Sequence, residues 1–106
     1  MAQPVTTLVT YRPKKGKEAE LEALVVRHWR VLDQVGLVTP EPVRLWRATD
    51  KRSGEIHFVE MFQWKDPEAS GKAHHTPEVL ALWEAMGPVL EELKLSTIES
   101  LAVAAP

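Results

Sequence analysis

The chain has 106 residues, 44% hydrophobic and 26% charged, with a formal net charge of -2, the size and composition of one soluble globular domain spanning 1–106. That charge balance lacks the basic footprint nucleic-acid binding needs, and zero cysteines exclude a disulfide scaffold, thiol chemistry and any cysteine-ligated metal. No apolar run approaches the roughly 20 residues of a membrane span, and MAQPVTTLVTYR lacks the charged-then-apolar pattern of a signal peptide, so a cytoplasmic chain is expected.

Val5 to Arg12, VTTLVTYR, is rich in β-branched residues and alternates, with Val5, Thr7, Val9 and Tyr11 on one face of a predicted first strand. PKKGK follows and, with Arg12, reads as a solvated basic turn. From Glu18 the spacing becomes helical: Leu21, Leu24, Val25, His28, Leu32 and Val35 fall on one stripe. Acidic residues lead this helix and Arg27 and Arg30 come later, as the helix dipole prefers, while Gly36 is suited to end it. His28, lying on the apolar stripe, reads as a core histidine. Beyond LVTPEP, whose prolines suit neither regular element, Val43 to Thr49 is predicted as a strand and Asp50 to Gly54 as a hairpin loop. Glu55 to Trp64 is then the antiparallel return strand.

DPEA and TPEV each set an N-cap residue before a proline at the first helical position, Asp66 with Pro67 and Thr76 with Pro77. They predict a short helix from Pro67 to Ala73 and a longer one from Pro77 to Leu93, kinked or split at Gly87-Pro88. The longer helix carries Val79, Leu80, Trp83, Met86 and Leu90 as its apolar stripe, and Leu95 to Ala104 is the last strand candidate. The order β-α-β-β-α-β is that of a ferredoxin-like α+β fold, a four-stranded antiparallel sheet with helices on one face.

A sheet covered on one face should be polar on the other, yet the third strand is not. Ile56, Phe58, Glu60, Phe62 and Trp64 share one face, and His57, Val59, Met61 and Gln63 the other. Two apolar faces need two covers, and a second identical chain is the simplest cover for the face without helices, so a homodimer through the sheet is expected. Glu60 is the anomaly. A charged group among apolar neighbours costs several kcal/mol unless paired, solvated or protonated. It reads either as a structural carboxylate, paired with Arg44, Arg47 or a partner arginine or accepting from Trp83 or a backbone amide, or as a base or anchor in a pocket, or as a solvent-exposed group.

The segments VTYRPKKGKEAELEAL, FVEMFQWKDPEA and AHHTPEVLALW together resemble, from Val5 to Leu93, the antibiotic biosynthesis monooxygenase family of dimeric α/β barrels with ferredoxin-like subunits. That resemblance implies a small aromatic ligand between sheet and helices, and cofactor-independent oxygenation of an anthrone or quinol-like substrate. A non-catalytic binding or accessory dimer of the same fold is the alternative. The family keeps a catalytic polar residue, often asparagine, four positions before a tryptophan on the third strand, a spacing that carries onto Glu60 and Trp64. The departure is chemical: an amide can donate to a phenol or enolate oxygen, whereas an ionised carboxylate only accepts, although it can act as a base on an acidic C–H or O–H. Haem-degrading members use a first-strand asparagine and an axial histidine on the second helical segment; the first strand here has threonines and no asparagine.

The expected catalytic groups are therefore Glu60 as base or anchor, Trp64 as pocket wall, and His74 or His75 as a second polar group, the two histidines pointing about 100° apart on a helix. Phe58, Phe62 and Trp83 are the expected ligand-pocket residues. No cofactor is expected. No metal site is expected either, because no His-x-x-x-His spacing or nearby paired carboxylate completes one.

Overall fold

The computed structural model describes residues 3–106. Its elements are β1 (Val5–Pro13), α1 (Glu18–Gln34), β2 (Arg44–Thr49), β3 (Ile56–Trp64), α2 (Ala69–Ala73), α3 (Pro77–Met86) and β4 (Leu90–Thr97), with a 3-10 turn at Gly87–Val89. The sheet order is β2-β3-β1-β4 with every neighbour antiparallel. This is the ferredoxin-like arrangement that the element order implies.

The predicted helical stripe is the one buried. Leu21, Val25, His28 and Leu32 of α1 face the sheet, and burying each aliphatic side chain contributes about 1.5–3 kcal/mol. The helix ends where Gly36 takes φ of 75°. There Leu37 N–H donates to Leu32 O and Gly36 N–H to Asp33 O, each at 3.0 Å, the paired bonds of a Schellman cap that need a left-handed residue. The hairpin is held by the Asp50 carboxylate, which accepts from the Arg52 and Ser53 amides at 2.9 and 2.8 Å. The Ser53 and then the Arg52 amide hold that carboxyl below its ordinary value.

Two boundaries differ from the sequence reading. The short helix starts at Ala69 rather than Pro67, because Asp66 bonds the Glu68 amide at 2.9 Å in a local turn before the helix begins. More consequentially, the last helix stops at Met86 rather than Leu93, and the last strand is Leu90–Thr97 rather than Leu95 to Ala104. Pro88 cannot continue the helical ladder. Once the chain turns, Leu93, Leu95 and Thr97 fall opposite Tyr11, Val9 and Thr7. LEELKL has good helix formers, but strand pairing with β1 overrides that preference. The pairing runs out beyond Ile98, whose amide makes a last bond to Thr6 O at 3.0 Å.

Both faces of β3 carry apolar groups, as read from its alternation. Phe58, Glu60 and Phe62 are buried under the helices, while His57, Val59, Met61 and Gln63 on the opposite face are only half-buried. Trp46 of β2 lies opposite Val59 on that outer face, 40% exposed, with the Arg44 guanidinium 5.0 Å from its ring centre. No helix among the described residues is long and apolar enough to cross a membrane.

Candidate functional site

A cavity of about 660 Å³ lies between the helix-side face of the sheet and the segment carrying α2 and α3. Its sheet wall is built by alternation: Thr7, Val9 and Tyr11 from β1, Phe62 and Trp64 from β3, Leu93 and Leu95 from β4. Asp66, Ser70 and His74 contribute from the α2 region, and Trp83 and Met86 from α3. Leu93 and Leu95 are 46% and 67% exposed, so the cavity opens along β4, which neither main helix covers.

One wall of the cavity is polar and buried. Glu60 lies opposite Val9, and Tyr11 sits two residues further along β1 on the same face, a diagonal separation that a long side chain can span. The Tyr11 hydroxyl donates to Glu60 Oε1 at 2.6 Å. His28, arriving from the buried stripe of α1, has Nδ1 2.8 Å from the same oxygen and 3.2 Å from the Tyr11 hydroxyl. Trp83 completes the chain from α3, its indole N–H donating to His28 Nε2 at 3.0 Å. An indole nitrogen can only donate, so His28 Nε2 must accept and the ring proton resides on Nδ1, directed at Glu60. His28 is thus held as the neutral Nδ1–H tautomer, and its contact with Glu60 is a hydrogen bond from a neutral ring rather than an ion pair.

Glu60 is fully buried. Both of its donors converge on Oε1, and Oε2 is buried with no partner. The cluster therefore holds one acceptor more than its donors can satisfy, a condition costing on the order of 1–3 kcal/mol. Burial first, then the Glu60 charge and its hydrogen bond, push the Tyr11 phenol well above its ordinary value. A folded-state value raised in this way means that the associated stability is full below the unfolded-chain tyrosine value, near about 10, and is lost as pH rises through the folded one. Tyr11 is the only tyrosine, so absorbance at 295 nm reads it alone. We expect no tyrosinate signal from the native protein at pH values where a free tyrosine is half ionised. The signal should appear at higher pH together with loss of near-ultraviolet dichroism, and Tyr11→Phe should lack this alkaline loss of stability. Tyrosinate appearing in the ordinary range while the fold persists would contradict the buried assignment.

The sequence-read residues separate into groups. Trp64, His74, Phe62 and Trp83 line the cavity, with His74 and Trp83 in edge contact at 4.9 Å and Phe62 and Trp64 at 5.0 Å. Glu60 faces the helices as expected but stands behind Tyr11 and His28, not at the cavity surface. Three of the partners suggested for it are engaged elsewhere: Arg47 pairs with Glu22 of α1, Arg44 stacks on Trp46, and Trp83 bonds His28 instead. Phe58 is buried in the core and does not reach the cavity. His75, one residue past His74, is exposed and turned elsewhere, consistent with the angular separation of neighbours on a helical turn. Tyr11 and His28 were on the correct faces in the sequence, but only the β1–β3 register and the docking of α1 bring them onto Glu60. Among the described residues, no three His, Cys, Asp or Glu side chains converge as a metal site.

The chain matches no protein-family model and no curated protein sequence. Solved structures do match. SnoaB, a cofactor-independent oxygenase from Streptomyces nogalater, superimposes in a variant form with a TM-score of 0.72 at 20% identity, covering 96% of this chain and 97% of that one. A dimeric ferredoxin-like protein of unknown function from Thermobifida fusca gives 0.69 at 8% identity, over 92% of each chain. A dimeric protein of ferredoxin-like fold from Bacteroides fragilis, also of unknown function, gives 0.70 at 8% identity, over 94% of this chain and 100% of that one. The fold is shared. It is the fold that the resemblance to the antibiotic biosynthesis monooxygenases implies, and at these identities the likeness concerns the fold alone.

Proposed function

We propose that the protein is a homodimeric small-molecule enzyme that acts on a hydroxylated aromatic or quinol-like substrate without a bound cofactor, in the manner of a cofactor-independent oxygenase. The observation that carries this reading is the apolar cavity of about 660 Å³ walled on one side by Tyr11, whose hydroxyl is bonded at 2.6 Å to a buried carboxylate. A cavity of this size and lining suits a planar ligand of two or three rings. A substrate O–H can pass its proton to Tyr11 Oη while the Tyr11 proton moves to Glu60 Oε1. The substrate becomes a phenolate, Glu60 becomes a carboxylic acid, and Tyr11 is unchanged. Dioxygen is the co-reactant that such an electron-rich anion would reduce. Tyr11 is the catalytic residue in this scheme, and Glu60 stores the proton. The dimer is supported by the half-buried apolar outer face of the sheet and by the dimeric description of the two ferredoxin-like neighbours.

The test is oxygen consumption with 1,4-dihydroxynaphthalene as probe, with chelator present and no flavin added. The wild type should exceed the buffer rate at least tenfold, and Tyr11→Phe and Glu60→Gln should fall back towards it. Saturable binding with no acceleration would favour the second reading, a binding or accessory dimer. That reading draws on His28, whose two ring nitrogens are both committed and so offer a substrate no base.

A further inference from the structure

We infer that the cavity selects its ligand by hydrogen-bond polarity, holding the hydroxyl form of an aromatic ligand and rejecting the carbonyl or ether form of the same skeleton. This rests on the cavity being the aromatic site proposed above and concerns what its inner wall can recognise. The β1 wall presents two hydroxyl side chains, Tyr11 and Thr7, both lining the cavity and both nearly inaccessible to bulk water. Each has one proton, and each proton is already used: Tyr11 donates to Glu60 Oε1 at 2.6 Å, and Thr7 Oγ1 donates to the Ser96 carbonyl at 3.1 Å. A hydroxyl that has given its proton retains only acceptor lone pairs. His28 offers nothing further, with Nδ1–H on Glu60 and Nε2 filled by Trp83. The indole N–H of Trp83 is consumed in the same bond. Behind the wall, Glu60 Oε2 is itself short of a donor, so no proton can be released from the cluster to turn Tyr11 around.

A ligand meeting this wall must bring its own O–H or N–H. A carbonyl or methoxy oxygen would be desolvated against acceptors, which costs more than it would against a neutral wall. The groups able to donate are Trp64 at the end of β3, Ser70 and His74 in the α2 region, and the Thr97 hydroxyl at the end of β4 opposite Thr7, so an acceptor on the ligand is steered towards these positions and a donor towards Tyr11. No lysine or arginine lines the cavity among the described residues, whereas the Asp66 carboxylate does, so the ligand enters as the neutral hydroxyl compound and not as an anion. A quinol and its quinone share one carbon skeleton and are opposite in this respect: two donors in one are two acceptors in the other. Tyr11 and Thr7 are thus specificity-determining residues.

The experiment measures dissociation constants under argon for three probes of one skeleton, 1,4-dihydroxynaphthalene, 1,4-dimethoxynaphthalene and 1,4-naphthoquinone, by quenching of the fluorescence of Trp64 and Trp83. We expect the diol to bind at least tenfold more tightly than either of the others, the ratio worth one hydrogen bond. Tyr11→Phe should bring that ratio close to one, weakening the diol and tightening the dimethyl ether, and Thr7→Val should lower it partway. Equal or tighter binding of the quinone or ether by the wild-type protein overturns the selection rule while leaving the aromatic cavity intact. Failure of all three probes to bind overturns the cavity reading, and the selection rule with it. The wild-type ratio needs no variant, so the inference stays open to refutation even if Tyr11→Phe does not fold.

Discussion

Glu60→Gln is expected to melt at or above the temperature of the unmodified protein while losing turnover, and Glu60→Ala to lose about 3 kcal/mol or more. The asymmetry follows from how the carboxylate is bonded. Its Oε1 accepts from both Tyr11 and His28, an arrangement the amide oxygen of glutamine can reproduce. Its Oε2 is buried and unpartnered, so the amide nitrogen exchanges one unsatisfied atom for another and removes a formal charge from the interior. Neutral replacements of comparable volume for imperfectly compensated buried charges are often neutral or stabilising. Alanine instead strands the Tyr11 and His28 donors, each costing roughly 1–3 kcal/mol, and leaves a void. For a chain of this length about 3 kcal/mol corresponds to roughly 12–24 °C in Tm. Thermal melts followed by circular dichroism separate the cases. Equal losses in both variants would mean that the charge itself stabilises the fold, and the carboxylate would then be structural rather than retained for chemistry.

Val59→Lys is expected to convert the proposed dimer to a monomer without disturbing the cavity. Val59 stands near the centre of the outer sheet face, opposite Thr10 of β1 and Trp46 of β2, and its strand neighbours on that face, His57, Met61 and Gln63, are likewise half-buried. In a single subunit a lysine there extends into water, so folding should change by less than about 1 kcal/mol. Against a second sheet its ammonium would be buried with no carboxylate facing it from β1, β2 or β3, because the acidic group of this face, Glu92, sits on edge strand β4 beside Arg12. An unpaired buried charge costs about 3 kcal/mol or more, which raises the dimer's dissociation constant by at least 100-fold. Sedimentation equilibrium at micromolar concentration measures this directly. A native chain that sediments as a monomer there would remove the dimer. Because Tyr11, His28 and Trp83 lie on the opposite face, ligand binding by the lysine variant tells whether the cavity needs a partner at all.

Particular residues show why the fold was legible in the sequence and the site was less so. The alternation of Val5, Thr7, Val9 and Tyr11, the stripe from Leu21 to Leu32 and the two apolar faces of β3 are local patterns, written at periods of 2.0 and 3.6 residues. The same patterns marked Glu60 as a carboxylate out of place among apolar neighbours and His28 as facing the core. They do not carry register. LEEL, residues 90–93, could be assigned to the last helix because its residues favour helices, and only the pairing of Leu93 with Tyr11 and of Glu92 with Arg12 makes it a strand. That pairing also opens the cavity along β4, since the leucines that would have extended α3 form its wall instead.

The sequence by itself determined the order and polarity of the elements, and with them the ferredoxin-like class. Which strand faces and helix stripes are apolar depends on residues a few positions apart. The tertiary structure alone decided that Tyr11, His28, Glu60 and Trp83 meet. Tyr11 and His28 are 17 residues apart, Tyr11 and Glu60 49, and Trp83 and His28 55, and their contact depends on antiparallel register and on how α1 and α3 dock over the sheet. It also decided where the protons go. A tyrosine, a histidine and a glutamate in a sequence are three titratable groups with open roles. Held within hydrogen-bond distance of one another and of a single indole N–H, they become a wall that can accept and cannot donate.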